Sequence, residues 1–195
     1  MTAVFEASTL STTDKPTLYR ELLAQARSIM VGERDRIANA ANFAALIYHA
    51  VPQLNWCGFY FFDGVELVVG PFQGKPACVR IALGKGVCGT AALRRETQLV
   101  RDVHEFPGHI ACDANSRAEL VVPVFSKGEI IGVFDLDSPQ PNRYDQTDAD
   151  HGFGVGRLTS MSDPSGRTDW AYDLYGAVVR KIHQFSSGRT TTVSY

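Results

Sequence analysis

The sequence contains no long hydrophobic run, and no stretch approaches the roughly 20 apolar residues that are needed to cross a bilayer. The first 15 residues, MTAVFEASTLSTTDK, lack the basic region and the long apolar stretch of a secretory signal. These two features predict a cytoplasmic protein that does not enter a membrane. The formal net charge of −2 comes from interspersed acidic and basic residues without a basic stripe, so the sequence predicts no binding to nucleic acid.

Cysteine is scarce, with four residues in a chain of 195. Four cysteines are too few for a disulfide scaffold of this length, and none forms a C-x-x-C pair or the spacing of a zinc ribbon. An isolated cysteine in a reducing compartment is usually a small buried apolar residue. This interpretation fits Cys57 best, because the surrounding NWCGFYFF is rich in aromatic residues and is typical of a strand.

The order of predicted elements indicates a single α+β domain. Apolar residues recur at helical spacing over 14–50, where Asp14 and Pro16 are typical of a helix start and Pro52 ends a second helix. Asp63-Gly64 is a hairpin signal. Antiparallel pairs that follow helices predict an α+β layer architecture. The predicted strands cover 55–62, 65–70, 78–83, 98–101, 118–125 and 129–137, with a short helix over 84–96 and a long loop over 102–118.

Cys112 lies in HIACDANS, a loop-like segment with polar, turn-forming flanks. A buried structural cysteine more often lies on an alternating or helical apolar face, so partial exposure is predicted. Reactivity requires thiolate, which is favoured by nearby positive charge or by the N–H groups of a helix end. His109 is a candidate for that charge, although a surface or core histidine is the commoner outcome.

Cys78 and Cys88 flank the segment VRIALGKGV. Cys78 opens a predicted strand, and Cys88 follows a glycine turn at a predicted helix start. A thiol in the first turn of a helix lies near the positive end of the helix dipole, which favours the thiolate. A small apolar filler is the alternative interpretation for both residues.

Asp135 and Asp137 are two residues apart on a predicted strand, so their side chains point to the same face. Two carboxylates on a half-buried face raise each other's proton affinity, which suits a proton donor near neutral pH. The alternative is that the strand simply ends in a solvated turn. Glu119 begins the preceding strand, and the hairpin can bring it close to the same pair.

Trp56 and Tyr60 are four residues apart on one predicted strand and therefore share a face. Two aromatic rings can form the wall of an apolar pocket. An aromatic stripe of this kind is nevertheless more often part of a core.

Taken together, several segments resemble the free methionine-(R)-sulfoxide reductases. The resemblance runs from about Thr17 to Asp150, and its specific part is three cysteines of matching order and spacing, framed by PFQG, GVCG and HIACD. A sensory GAF domain shares the architecture but lacks these cysteines. The matching segments are NWCGFYFF, GPFQGKPACVRI, GKGVCGTA, DVHEFPGHIACDANSRAELVVPVF and IIGVFDLDS.

The resemblance implies a GAF-like fold: a central antiparallel six-stranded sheet, with helices packed on one face and a long active-site loop. Residues 1–150 would form the catalytic domain, and 151–195 an atypical C-terminal segment that is partly helical or disordered. In this segment HGFGVG interrupts the pattern of the family's closing helix, whereas WAYDLYGAVVRKIHQF (170–185) is weakly helical. A genuine extension and a shifted reading frame both remain open as explanations.

The resemblance also implies roles for individual residues. Cys112 matches the nucleophile, Cys78 the main resolving cysteine, and Cys88 a third cysteine that can assist in recycling. Cys57 matches no family role. The remaining matches are the acids around the substrate, Glu119, Asp135 and Asp137, and the aromatic residues that hold its methyl end, Trp56 and Tyr60.

The implied reaction is reduction of free methionine-(R)-sulfoxide by the thiolate of Cys112. Either Glu119 or Asp137 would donate the proton while the other binds the ammonium group, and Cys78 would convert the sulfenic acid into a disulfide. The implied partner is a thioredoxin-like reductant, no metal or cofactor is required, and relatives are often homodimers. The alternative function is a GAF-type module that senses a small molecule or the redox state without turnover.

Overall fold

The computed structural model describes residues 14–110, 112–149, 160–163, 166–172, 178–185 and 187–194. The N-terminal part contains two long helices, a short third helix and six strands. In the described residues, no helix is both long and apolar enough to span a membrane. The helices are α1 (Lys15–Met30), α2 (Arg36–Ala50) and α3 (Gly86–Arg94), and the strands are β1 (Trp56–Phe62), β2 (Glu66–Gly74), β3 (Arg80–Ala82), β4 (Gln98–Val100), β5 (Ala118–Ser126) and β6 (Glu129–Ser138).

Both long helices begin at an aspartate whose side chain caps the first turn. Asp14 accepts a hydrogen bond from the backbone N–H of Thr17, and Asp35 accepts from those of Ile37 and Ala38. The predicted helix start at Asp14 is therefore confirmed. The second helix begins at Arg36, directly after its capping residue Asp35.

The six strands form one antiparallel sheet, as predicted, and their order in it is β3-β2-β1-β6-β5-β4. β2 continues to Gly74, although PFQG was predicted to be a loop. The register between β1 and β2 shifts between Gly58 and Tyr60, and Pro71 lies at this bulge. A bulge is a position where a strand tolerates proline.

Alternate residues of the central strands supply two separate cores. Cys57, Phe59 and Phe134 pack on the side covered by α1 and α2. Trp56 and Tyr60 pack with α3 on the other side. The prediction of helices on one face is therefore correct for α1 and α2 only. The apolar residues of α3 contact the opposite face because that face carries the other half of the alternation.

The C-terminal part contains a second antiparallel sheet in the order β10-β9-β8-β7. The helix expected over 170–185 is wrong, since the described residues of that range belong to two paired strands. The backbone N–H and C=O groups of a strand form hydrogen bonds with the strands on both sides. The spacing of apolar residues within one segment does not show whether such neighbouring strands are present. The strands are β7 (Ser160–Asp163), β8 (Gly166–Tyr172), β9 (Val178–Phe185) and β10 (Thr190–Ser194).

A buried ionic cluster connects α1 to the segment that follows β6. Asp148 is fully buried, and its carboxylate accepts hydrogen bonds from Tyr19 and from Lys15 Nζ at 2.6 Å. Arg143 Nη1 lies 3.4 Å from the same carboxylate. Asp148 therefore balances two cations and fixes one end of the first helix layer.

Replacement of this aspartate, Asp148→Ala, is expected to lower the free energy of unfolding by about 3–5 kcal/mol, because it removes the counter-charge of the buried Arg143 side chain, whereas the partly exposed Lys15 keeps Asp145. Urea unfolding measures the change. Arg80→Ala is the matched control: it removes an ion pair with Asp63 and Glu66 at an exposed position and should change stability little. Equal effects of the two substitutions would contradict the assignment of Asp148 as a structural centre.

Candidate active site

A pocket lies between the sheet face that carries Trp56, the start of α3 and the loop that contains Cys112. It encloses about 520 Å³ of unoccupied space, part of which is open to solvent. Acidic and thiol groups lie beside aromatic and aliphatic ones in its wall. The residues that line it are Trp56, Tyr60, Pro76, Ala77, Ile81, Lys85, Gly86, Val87, Cys88, His109, Ile110, Cys112, Asp113, Ser116, Glu119, Asp135 and Asp137.

Three carboxyl groups reach the pocket from the neighbouring strands β5 and β6. Glu119 pairs with Asp137 across β5 and β6, and Asp135 lies two residues before Asp137 on the same face. Glu119 and Asp135 are each only 6% exposed. The predicted shared face of the two aspartates is therefore present, and the hairpin brings Glu119 to it.

Burial of these three groups together raises their affinity for protons. Burial and the charges of Asp135 and Asp137 raise the pKa of Glu119 well above its ordinary value. Burial, reinforced by the charge of Asp135, does the same to the pKa of Asp137. Burial raises the pKa of Asp135 to about 7. At neutral pH the site therefore holds protonated acids beside one readily ionised carboxyl group.

Stacked aromatic rings form the wall beside these acids. The ring centroids of Trp56 and Tyr60 are 5.8 Å apart, and those of Trp56 and Phe72 are 5.3 Å apart. The indole Nε1 donates to the backbone oxygen of Lys75 at 3.1 Å. Trp56 also lies opposite Asp137 in the β1–β6 register. An apolar wall and a proton-rich wall thus meet along one edge of the pocket.

Cys78 and Cys112 form a disulfide, with their Cα atoms 5.5 Å apart. Cys112 is partly exposed, as its polar flanks predicted. The pairing implied by the family resemblance is therefore present, and it joins the segment after β2 to the loop before β5. The structure thus represents the oxidised form of these two residues.

The loop that carries Cys112 is held by polar contacts that the sequence analysis missed. Asn55 Nδ2 donates to Asp113 Oδ2 at 3.2 Å and to Ser116 Oγ at 3.0 Å. Lys75 Nζ lies 3.4 Å from Asp113. These contacts span about 40–60 residues of sequence and leave no local pattern, so no signal in the sequence could have revealed them.

Cys88 lies in the first turn of α3, as predicted, but its thiol is not activated there. Burial and the neighbouring charges of Asp135 and Glu119 raise its pKa well above the ordinary value. The expectation of a favoured thiolate is wrong, because loss of hydration and two nearby acids outweigh the helix dipole. Cys57 is fully buried and donates to the backbone oxygen of Ala44, in agreement with the filler interpretation.

His109 does not supply the positive charge that was considered for Cys112. Its Nδ1 atom lies 3.8 Å from Glu119 Oε2. Burial lowers the pKa of His109 below its ordinary value, so the ring is largely uncharged at neutral pH. The imidazole is instead a neutral member of the pocket wall.

Known proteins share this architecture and sequence. The family model described as GAF domain matches residues 39–158. The free methionine-R-sulfoxide reductase of Escherichia coli is 47% identical over 69% of this chain and 82% of the relative, and that of Saccharomyces cerevisiae is 42% identical over 78% and 89%. A solved structure of the Neisseria meningitidis free methionine-R-sulfoxide reductase, in complex with its substrate, is 45% identical, covers 78% of this chain and 92% of its own, and has a TM-score of 0.74.

The shared sequence spans most of each relative, and the shared fold includes the whole six-stranded sheet that carries the pocket. The chain therefore belongs to the GAF-domain family of free methionine-(R)-sulfoxide reductases.

Proposed function

We propose that this chain reduces free methionine-(R)-sulfoxide to methionine, with Cys112 as the nucleophile and Cys78 as the resolving cysteine. The observation that carries this proposal is the Cys78–Cys112 disulfide at a pocket whose wall holds three proton-rich carboxyl groups. Relatives at 42–47% identity are named for this activity. The pocket provides a thiol pair and proton donors in one place, which is what reduction of a sulfoxide requires.

The reaction begins when the thiolate of Cys112 attacks the sulfoxide sulfur. An acid protonates the sulfoxide oxygen, because oxygen is a poor leaving group without a proton. The oxygen then passes to the cysteine sulfur, methionine leaves, and Cys112 becomes a sulfenic acid. The two electrons that reduce the substrate come from the cysteine sulfur.

The donor is either Glu119 or Asp137, since both carboxyl groups retain protons at neutral pH. Burial raises the pKa of Asp135 to about 7, so this carboxyl group is partly ionised at neutral pH. Its negative charge suits it to hold the ammonium group of the amino acid. The free amino acid is favoured over a residue within a protein, because a peptide bond would remove that ammonium charge.

Trp56 and Tyr60 lie at the apolar end of the pocket and form a surface for the methyl group of the substrate. Both residues are nearly fully buried, so their positions do not depend on the substrate. An apolar wall on one side and acids on the other would distinguish the methyl group from the sulfoxide oxygen. This asymmetry is the physical basis that we propose for preference between the two epimers.

Recycling starts when the thiolate of Cys78 attacks the sulfenic sulfur of Cys112, which forms the disulfide and releases water. A thioredoxin-like dithiol then reduces the disulfide by thiol–disulfide exchange. Cys112 is partly exposed, which permits access for such a partner. Each cycle consumes one dithiol and produces one methionine.

We further propose that the catalytic unit is residues 1–150, with 151–195 outside it and a homodimer as the assembly. All the residues to which we assign roles lie before Asp150. Turnover by residues 1–150 at the rate of the full chain tests the first statement, and sedimentation of the full chain at the mass of a dimer tests the second.

Substitution of the nucleophile, Cys112→Ser, is expected to abolish turnover of methionine-(R)-sulfoxide, because a hydroxyl cannot accept the oxygen. NADPH consumption in a thioredoxin-coupled assay measures the rate for each epimer. The matched control is Cys57→Ser, whose site is buried on the other face and whose hydroxyl can still donate to Ala44. It should retain the rate of the unmodified chain.

Two results would argue for the sensory alternative instead. One is full turnover by Cys112→Ser, and the other is tight binding of methionine sulfoxide by the unmodified chain without any turnover. A binding module needs neither the thiolate nor its disulfide partner.

Removal of the resolving thiol, Cys78→Ser, should limit the fast phase to one methionine per chain, because the sulfenic acid then lacks its main partner. Rapid quench with chromatography of the product measures this burst. A dimedone adduct on Cys112 after the burst is the accompanying sign of the sulfenic acid. Unchanged steady-state turnover would contradict the role of Cys78.

The acids predict a distinct pH dependence. Because Asp135 must be ionised to hold the ammonium group, the KM of the enzyme should rise as pH falls below about 7. Because the donor must be protonated, kcat should fall on the alkaline side. Asp135→Asn should therefore affect mainly KM, whereas Glu119→Gln or Asp137→Asn, whichever removes the donor, should affect mainly kcat. If neither Glu119→Gln nor Asp137→Asn changed kcat, the assignment of the proton donor would be refuted.

A further inference from the structure

Three side chains of different chemistry converge at the buried end of the pocket. One ligand-capable atom from each of Cys88, Glu119 and Asp135 lies within 4.8 Å of the other two. Cys88 Sγ lies 3.9 Å from Glu119 Oε1. All three residues are at least nine-tenths buried, so their mutual positions are fixed by the sheet and by α3.

Two polar atoms beside this cluster are buried without a hydrogen-bond partner among the described residues: Asp135 Oδ1 and His109 Nδ1. Buried polar atoms in folded proteins are nearly always paired, so two such atoms facing one pocket indicate a missing ligand. His109 Nδ1 lies 3.8 Å from Glu119 Oε2, which places the imidazole next to the cluster. An ammonium group would suit the carboxylates and the acceptor nitrogen of a neutral imidazole, but it would gain little from the thiol, which is a weak acceptor.

The donor set selects the class of cation. A tetrahedral zinc site, with Zn–S of about 2.3 Å and Zn–O or Zn–N of about 2.0–2.2 Å, places its ligand atoms roughly 3.3–3.7 Å apart. The observed sulfur–oxygen separation of 3.9 Å needs only a small contraction. Magnesium and calcium prefer oxygen ligands alone, whereas zinc accepts thiolate, carboxylate and imidazole together.

We propose that Zn²⁺ binds between Cys88, Glu119 and Asp135, whose ligand atoms all lie within 4.8 Å of one another, and thereby inhibits the enzyme. The bound cation engages the carboxyl groups that the substrate needs, so metal and sulfoxide exclude each other. This regulation rests on the proposed reductase function, but binding of the metal does not.

Binding is tested on the disulfide-intact chain, in which Cys57 and Cys88 are the free thiols. Titration with Co²⁺, a spectroscopic substitute for zinc, should produce a near-ultraviolet thiolate-to-cobalt band at one equivalent, which Zn²⁺ then abolishes. The band should be lost in Cys88→Ser and retained in Cys57→Ser. Glu119→Gln, which keeps the thiol, should weaken binding at least about tenfold.

The assignment is overturned if the unmodified chain gives no band, or if the band survives Cys88→Ser. A far-ultraviolet thermal melt of each variant establishes that it is folded. If Cys88→Ser does not fold, Glu119→Gln supplies the decision: undiminished cobalt affinity in that variant refutes the site.

Inhibition is tested in a single turnover, with reduced protein freed of reductant, preincubated with Zn²⁺ and mixed with methionine-(R)-sulfoxide. Zinc should slow methionine formation in the unmodified chain, and excess substrate should reverse the effect. Cys88→Ser, compared with its own zinc-free rate, should need at least about tenfold more zinc. If the unmodified chain and Cys88→Ser were inhibited by the same zinc concentration, the inhibitory metal would lie at Cys78 and Cys112, and the proposal would be overturned.

The failures of the two proposals are distinguishable. An unmodified chain that forms no methionine even without zinc would refute the reductase function, while the cobalt spectrum would still decide the metal site.

Discussion

The site depends on the confinement of three carboxyl groups on one buried face of a sheet. Glu119 and Asp137 face each other across the neighbouring strands β5 and β6, and Asp135 is the next residue on that face. Removing carboxylates from water is costly, and like charges at this distance repel, so the fold favours their protonated forms. Because burial raises their pKa values, these carboxyl groups hold protons at neutral pH, whereas solvent-exposed carboxyl groups would be ionised.

This arrangement is stable because the opposite face of β6 carries apolar side chains at the positions between the acids. Phe134 and Leu136 alternate with the two aspartates and pack under α1 and α2. A shift of β6 by one residue would bury the aspartates beneath the helices and expose the phenylalanine to the pocket. The core therefore fixes the register of β6, and the register fixes the acids. The polar site and the apolar core both result from the alternation of acidic and apolar side chains along β6.

The sequence allowed the prediction of features that are encoded locally. The Asp14 cap, the shared face of Asp135 and Asp137 and the exposed setting of Cys112 all follow from spacing or flanking residues. Properties that depend on distant groups could not be predicted from local patterns. The thiol of Cys88 has a helix-start position, but its pKa is raised by burial and by acids 31 and 47 residues away, and both effects have the opposite sign to that of the dipole. The strands from residue 160 onwards were not predicted for a related reason. They are stabilised by pairing with one another, and this pairing does not appear as a period in the sequence of each strand.

The position of the disulfide connects the chemistry to the fold. Cys78 follows β2 and Cys112 lies in the loop before β5, so the pair joins segments from both sides of the central β1–β6 pair. Asn55 and Lys75 hold Asp113, the neighbour of Cys112, by contacts that do not involve either sulfur. The loop therefore retains an anchor when the disulfide is reduced, which limits how far Cys112 can move from the acids. The nucleophile that we propose, Cys112, must be free to exchange partners yet remain near the acids, and an anchor at the adjacent residue satisfies both requirements.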